Sequence, residues 1–290
     1  MERRELLARI KTFPLKAATL ADDMLSGDFR SMFKGQGMEF SEVRHYEMGD
    51  DIRSIDWNVS ARFGTPYVKQ YQEERDMTVF VILDCSRSMH TGSCELSRYE
   101  QGLLSLALIA FSAQKAGQAF GAALFDHSVE QFFHPTKGRS HIMSIIGKGL
   151  RYKPSGAGSN LGDALSRAVR FLKRRSLVIV ISDFICINWE QELKDLSNRH
   201  DLITLRISDP LDKHMMNAGL LRLEDPETGI RLHAPTGFAS FRSAWEDWQD
   251  ERSELWSAIC KRAGAAALEL STIDDALLVL SHFFRGRKSR

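Results

Sequence analysis

Residues 78–83 read Thr-Val-Phe-Val-Ile-Leu, an unbroken apolar and mostly β-branched run with no polar position on either side of a strand. A strand of that composition must be covered on both faces, as in a parallel sheet sandwiched between helices. Similar runs recur at 176–181 and at 201–207. Between the first two, Ser97-Arg98-Tyr99-Glu100 has the spacing of a capping box and predicts a helix through about residue 116. Residues 119–126 and 129–134 read as further strands, and 140–150 and 161–174 as helices. Strands alternating with helices predict an α/β fold: a doubly wound, mostly parallel sheet with helices on both faces.

The flanking segments carry weaker patterns. Residues 2–25 are amphipathic, with Pro14 marking a break between two short helices. Residues 27–75 are dense in Gly, Arg, Asp and Glu and show no clean period, so they read as a loop-rich extension or part of an interface. The expected partition is therefore an N-terminal extension at 1–75 and the α/β domain at 76–290. Asn188-Trp189-Glu190-Gln191 reads as the cap of a helix. Asp225-Pro226-Glu227-Thr228-Gly229, between strands at 220–224 and 230–234, is a hairpin signature. A long helix at 238–263 follows, then a strand at 266–270 and a helix from 274. Trp245, Trp248 and Trp256 fall near helical spacing with Leu255 and Ile259, which predicts a buried face.

Bulk properties narrow the function. The 290 residues carry a net charge of +1, with 27% charged residues. No general attraction to nucleic acid or anionic lipid follows from that balance, and the basic end at 285–290 reads as a solvated tail. The four cysteines form no C-x-x-C pair and have no histidine at zinc spacing. Free thiols in a reducing compartment are the simplest reading. Charges interrupt the N-terminal segment, and no apolar stretch reaches the roughly 20 residues needed to span a bilayer. These features predict a cytoplasmic protein with no direct membrane insertion. No HExxH, GxSxG or Walker A motif is present.

In an open parallel sheet, ligands bind beyond the carboxyl ends of the strands. The residues there are Asp84, Ser86 and Ser88 after the first apolar strand and Ser182 and Asp183 after the second. Gly156-Ala157-Gly158-Ser159-Asn160 opens an intervening helix. Carboxylate and hydroxyl oxygens without imidazole or thiolate suit a hard cation: Mg2+ first, with Mn2+ or Ca2+ as alternatives. Few negative ligands would leave such a metal under-neutralised, so a carboxylate from a protein partner would complete it. The competing reading is that Asp84 and the serines cap the turn and the following helix. Phe184–Ile187 and Met89-His90-Thr91 read either as an apolar rim or as packed connectors.

One block is more specific. It runs Gly35-Gln-Gly-Met-Glu-Phe-Ser-Glu-Val-Arg44-His-Tyr46-Glu-Met-Gly49-Asp50-Asp51-Ile-Arg53-Ser-Ile-Asp56-Trp57-Asn58, then Ala61-Arg62 and Val68-Lys69. With the strand pattern that follows, it resembles the bacterial domain of unknown function 58 family, from about Gly35 to the final helix. The resemblance implies a von Willebrand A-like domain with a metal-ion-dependent adhesion site. Carried onto this chain, its ligands are Asp84, Ser86, Ser88, Ser159 and Asp183, with Ser159 standing where the family motif has Thr. Ser86, Ser88 and Ser159 would touch the metal directly, and Asp84 and Asp183 largely through waters. The resemblance also implies a partner, a MoxR-type AAA+ ATPase, which this chain would serve as adaptor or co-chaperone. Two other functions share the same residues: a metal-dependent hydrolase of phosphoesters, for which no base is nominated, and a scaffold with a vestigial site. The alternating charges of 44–62 read as an ionic network bracing the extension against the domain rather than as a docking surface or a nucleic-acid patch.

Overall fold

The apolar runs become the middle of a six-stranded sheet. The computed structural model describes residues 3–26, 38–73, 77–156 and 158–287. Outside them lie residues 1–2, 27–37 with the start of the Gly35 block, 74–76, 157 and the last three residues of the basic tail. In chain order the elements begin with α1 (Arg3–Ser26), β1 (Met38–His45), α2 (Trp57–Phe63) and β2 (Tyr67–Glu73). Next come β3 (Thr78–Asp84), α3 (Arg98–Lys115), β4 (Ala119–Phe125), β5 (Val129–Thr136), α4 (Arg139–Arg151) and α5 (Leu161–Phe171). Then follow β6 (Leu177–Ser182), α6 (Glu190–Ser197), β7 (Asp201–Ser208) and the short α7 (Pro210–Lys213). The chain closes with β8 (Leu220–Glu224), β9 (Arg231–Pro235), α8 (Ala239–Ala263), β10 (Ala266–Ser271) and α9 (Ala276–Gly286).

The sheet order is β10-β7-β6-β3-β4-β5. All neighbours are parallel except β5, which runs antiparallel to β4 at the edge. Every residue of β6 and β7 is buried, and every residue of β3 after Thr78, as the two-sided apolar pattern demands. Edge strand β5 is only partly buried. Parallel register pairs Leu83 with Ile181, so the next residues along, Asp84 and Ser182, finish side by side at the carboxyl end.

The chain divides into two units, Met1–Gly27 with Met77–Arg290, and Asp28–Asp76. The partition expected at residue 75 is thus corrected: α1 belongs with the α/β unit. The reason is its stripe of Leu6, Ile10, Phe13, Ala17, Leu20 and Met24, all buried, which packs on α3 and α9. The stripe runs through Pro14 without a break, and so does the helix. An interior proline costs about 3 kcal/mol, which burial of the side chains on either side of it outweighs. Helix α3 has the capping box read at Ser97 and Glu100.

Other expectations are adjusted. Asn188 is not a cap: its φ is +58°, and α6 starts after Trp189. On α8, Trp256 and Ile259 are buried, but Trp248 and Leu255 are 47% and 58% exposed. Seven residues apart, these two share a side of the helix turned away from the Gln249–Trp256–Cys260 stripe. The Arg252 guanidinium lies 4.8 Å from the Trp248 ring centroid, while the Trp245 N–H donates to the carbonyls of Leu211 and Asp212.

In the smaller unit, β1 and β2 pair antiparallel from Met38↔Glu73 to His45↔Tyr67, with an irregularity between Phe40 and Glu42. Regular structure therefore occupies much of a segment whose sequence has no clean period. The charges of 44–62 act locally there. Arg44 forks onto Asp50 at 2.7 and 2.8 Å, Asp51 caps the 3-10 turn Ile52–Ser54, and Asp56 accepts from Asn58 and Val59 N–H to start α2. Among the described residues, no helix is long and apolar enough to cross a membrane.

His200, between α6 and β7, is 3% exposed, and neither ring nitrogen has a hydrogen-bond partner among the described residues. Burial, with Arg199 and Arg175 adding to it, pushes its pKa down to about 4. The folded chain keeps the ring neutral while the unfolded chain protonates it near pH 6.5. The stability this contributes is complete above that pH and is lost as the pH falls toward 4. Urea unfolding at pH 7.5 and 4.5 should show His200→Leu losing on the order of 1–2 kcal/mol less than wild type over that interval. Equal losses would refute the assignment.

Candidate functional site

Beyond β3 the chain alternates between core and cluster. Cys85 and Met89 are fully buried, and the Cys85 N–H donates to the Phe125 carbonyl at 2.7 Å. Ser86 and Ser88 turn the other way, with their hydroxyl oxygens 3.1 Å apart. The Ser86 N–H donates to Asp84 Oδ1 at 2.9 Å, closing the turn. A 3-10 turn at Ser88–His90 then leads the chain away.

Two further loops converge on Asp84. The Ser159 hydroxyl donates to Asp84 Oδ2 at 3.0 Å, and the Ser182 hydroxyl donates to the same oxygen at 2.7 Å. Ser159 is placed by Asn160, whose side chain accepts from Asp163 N–H at the start of α5 and whose own N–H donates to the Asp126 carbonyl. Asp183 follows β6 and is 4% exposed. Its Oδ1 accepts from Ile185 N–H at 3.0 Å; its Oδ2 is buried with no hydrogen-bond partner. Phe184 adopts φ +55° and anchors the turn between the rings of Trp189 and Trp256, at 5.3 and 5.6 Å.

All five sequence-predicted residues, Asp84, Ser86, Ser88, Ser159 and Asp183, lie in this one cluster. Burial raises the pKa of Asp84, and the neighbouring Asp183 carboxylate raises it further. Burial likewise raises that of Asp183. Two buried carboxyls side by side, one with an unpartnered oxygen, are a costly arrangement that a bound cation would relieve. The donors are oxygens of the kind a hard cation takes. Ser86, Ser88 and Ser159 could hold it directly, with Asp84 and Asp183 behind them.

The rim readings divide. Met89 and Phe184 are core residues, whereas Ile185 and Ile187 are exposed and His90 stacks on Tyr99 with centroids 4.3 Å apart. A second group, Asp126, His127 and Glu130, comes together at the end of β4. Asp126 is already engaged: Oδ2 accepts from Ser155 N–H and hydroxyl, and Oδ1 lies 2.7 Å from His127 Nδ1. It braces the loop that leads to Ser159.

Two participants stand outside the five expected ligands. Ser182, one of the strand-end oxygens that the sequence brings forward, props Asp84. Glu227 comes from the β8–β9 turn. Its Oε1 accepts from Ser88 N–H at 2.7 Å and its Oε2 from Gly158 N–H at 2.6 Å. No local sequence signal marks it, beyond an acidic residue at a hairpin tip.

The mostly parallel sheet with a single antiparallel edge strand carries the oxygen cluster at the carboxyl ends of β3 and β6, the arrangement that the von Willebrand A-like resemblance implies. The chain belongs to the family described as protein of unknown function DUF58, which it matches over residues 42–254. The uncharacterized protein Rv1480 of Mycobacterium tuberculosis is similar, at 28% identity over 229 residues, covering 78% of this chain and 72% of its own. The uncharacterized protein MAV169 of Mycobacterium avium is 33% identical over 136 residues, or 47% of this chain and 80% of its own. Among solved structures, the conserved hypothetical protein BatB from Bacteroides thetaiotaomicron superposes with a TM-score of 0.49 and 15% identity, covering 74% of this chain and all (100%) of that one. The SpRpn10 VWA domain gives 0.40 and 13%, covering 70% and 93%.

Gly162 tests how tightly the loops are held. A Cβ there would lie 2.6 Å from the Asn188 carbonyl oxygen, linking the start of α5 to the loop after Asp183. Gly162→Ala, which in an open helix would stabilise by up to about 1 kcal/mol, should here destabilise by about 1–3 kcal/mol in urea unfolding. A gain in stability would show that the contact is loose.

Proposed function

We propose that this protein is a metal-dependent protein-interaction module rather than an enzyme. In this reading the cluster holds Mg2+, with Mn2+ or Ca2+ as substitutes, and the metal receives an acidic side chain of a partner protein. The observation that carries it is the buried Asp183 Oδ2, which has no hydrogen-bond partner, in a cluster with Asp84 and the hydroxyls of Ser86, Ser88 and Ser159. Such a group favours a small divalent cation strongly, because burial weakens solvent competition for the charge. The donors supply little negative charge to the metal directly, so an external carboxylate completes its shell.

The partner class follows from the family resemblance. A MoxR-type AAA+ ATPase would supply ATP hydrolysis, for which this sequence carries no Walker A motif, and the present chain would act as its adaptor or co-chaperone in the cytoplasm.

Calorimetric titration with Mg2+ tests the site. Wild type should bind one ion, and Ser86→Ala combined with Ser88→Ala should weaken binding by about tenfold or more, or 1.4 kcal/mol. Indistinguishable heats would sink the metal reading. Capture of a MoxR-type ATPase on the immobilised chain should fall when EDTA replaces Mg2+. Capture that ignores EDTA would remove the metal from the contact.

A further inference from the structure

Glu227 reaches the loops of the cluster from a distant hairpin with the same kind of acidic side chain that the proposed site would take from a partner. It lies 139 residues from Ser88 and 69 from Gly158 in sequence, yet its two carboxylate oxygens accept hydrogen bonds from exactly those two backbone N–H groups. One belongs to the loop that carries Ser86 and Ser88, the other to the residue before Ser159. The carboxylate therefore spans two of the three loops of the cluster.

The turn is built to present it. Asp225 accepts from Glu227 N–H at 2.9 Å and from the Thr228 hydroxyl at 2.6 Å, and Gly229 closes the loop at φ +71° with its N–H on the Asp225 carbonyl. Apolar burial does not hold the tip: none of residues 225–229 is buried, and Leu220 and Leu232 on the hairpin arms are exposed. Anchoring lies at the far end, where Ala234 and Thr236 are buried. A hairpin fixed at its base and held at its tip by one charge-assisted fork can be released by a competitor for that fork without disturbing the core.

We infer that Glu227 is a tethered internal ligand that occupies the carboxylate position of this site, and that an acidic residue of a partner must displace it to bind. The competition part rests on the metal-site reading; the occupancy part does not. Because the tether gives Glu227 a high effective concentration at the site, a free carboxylate meets a handicap that a partner with additional contacts overcomes.

The test compares full-length wild type with Glu227→Ala and Glu227→Gln, the second preserving size while removing the charge and one of the two acceptor oxygens. Amide exchange followed by NMR without metal should show Ser88 and Gly158 losing protection by roughly tenfold in Glu227→Ala, with β3 and β6 unchanged. Then, with saturating Mg2+, the single-carboxylate peptide acetyl-Gly-Glu-Gly-amide should bind Glu227→Ala and Glu227→Gln about tenfold more tightly than wild type. Unchanged protection at both amides overturns the occupancy, and equal peptide affinity overturns the competition. If neither wild type nor Glu227→Ala takes up Mg2+, the metal reading falls by itself, and the exchange difference alone decides for or against Glu227.

Discussion

Burial of β3 and β6 on both faces is the constraint from which the rest follows. A strand with no wet side carries a polar side chain along its length only at the cost of desolvating it. Polar chemistry in β3 and β6 gathers instead at the last residue of each strand and just beyond it, where the backbone turns away. Adjacent parallel strands finish together, so two such ends stand next to each other, and Asp84 meets Ser182 and Asp183 at the same level of the sheet. The loop before α5 then needs to cross only the gap above β4 to bring Ser159 in. Its path is held by Asp126, which ties down Ser155 by side chain and Asn160 by backbone.

The electrostatics of the cluster depend on that same burial. Asp84 accepts three hydrogen bonds, from Ser86 N–H and from the hydroxyls of Ser159 and Ser182, yet burial and the second carboxyl still push its proton affinity up. Asp183 has fewer partners, and the nearby Arg98 and Arg252 lower its proton affinity without overcoming burial. Both arginines are engaged elsewhere: Arg98 is held by Asp212 at 2.5 Å, and Arg252 covers Trp248. The Ser88 and Gly158 N–H groups of two surrounding loops both donate to the Glu227 carboxylate, so an anion is held at the edge of a cluster that itself contains two buried carboxyls.

Elements with a strong internal period were legible from sequence. The buried strands, α3 with its capping box and the β8–β9 hairpin all stand where their patterns place them. The site residues were legible because strand ends in a parallel sheet are special positions and because the family block narrows the choice. What failed to show had tertiary causes. Pro14 reads as a break because its local cost is visible and the stripe buried against α3 is not. Trp248 looks like a core residue until the helix is rotated against its neighbours. Strands β1 and β2 have no apolar alternation to announce them. Glu227 lies in a turn whose sequence explains the turn and nothing else; its partner amides are set by the folding of two distant loops.

The place of α1 also changes what the segment 28–76 is. A helix that packs on α3 and α9, with Asp23 paired to Arg285, fixes the chain on the near side of that segment just as β3 fixes it on the far side. The family block is thus an insertion into the α/β domain and not a tail ahead of it. Both flanks of the segment belong to the α/β unit, and lengthening a chain segment tethered at both ends costs little, roughly 0.6 kcal/mol per doubling. Its growth or shortening among relatives would be cheap for stability so long as both anchors stay. Losing the α1 anchor would be another matter: it would convert the loop into a free arm and uncover the outer side of α3, whose residues from Arg98 to Ala113 are almost all buried.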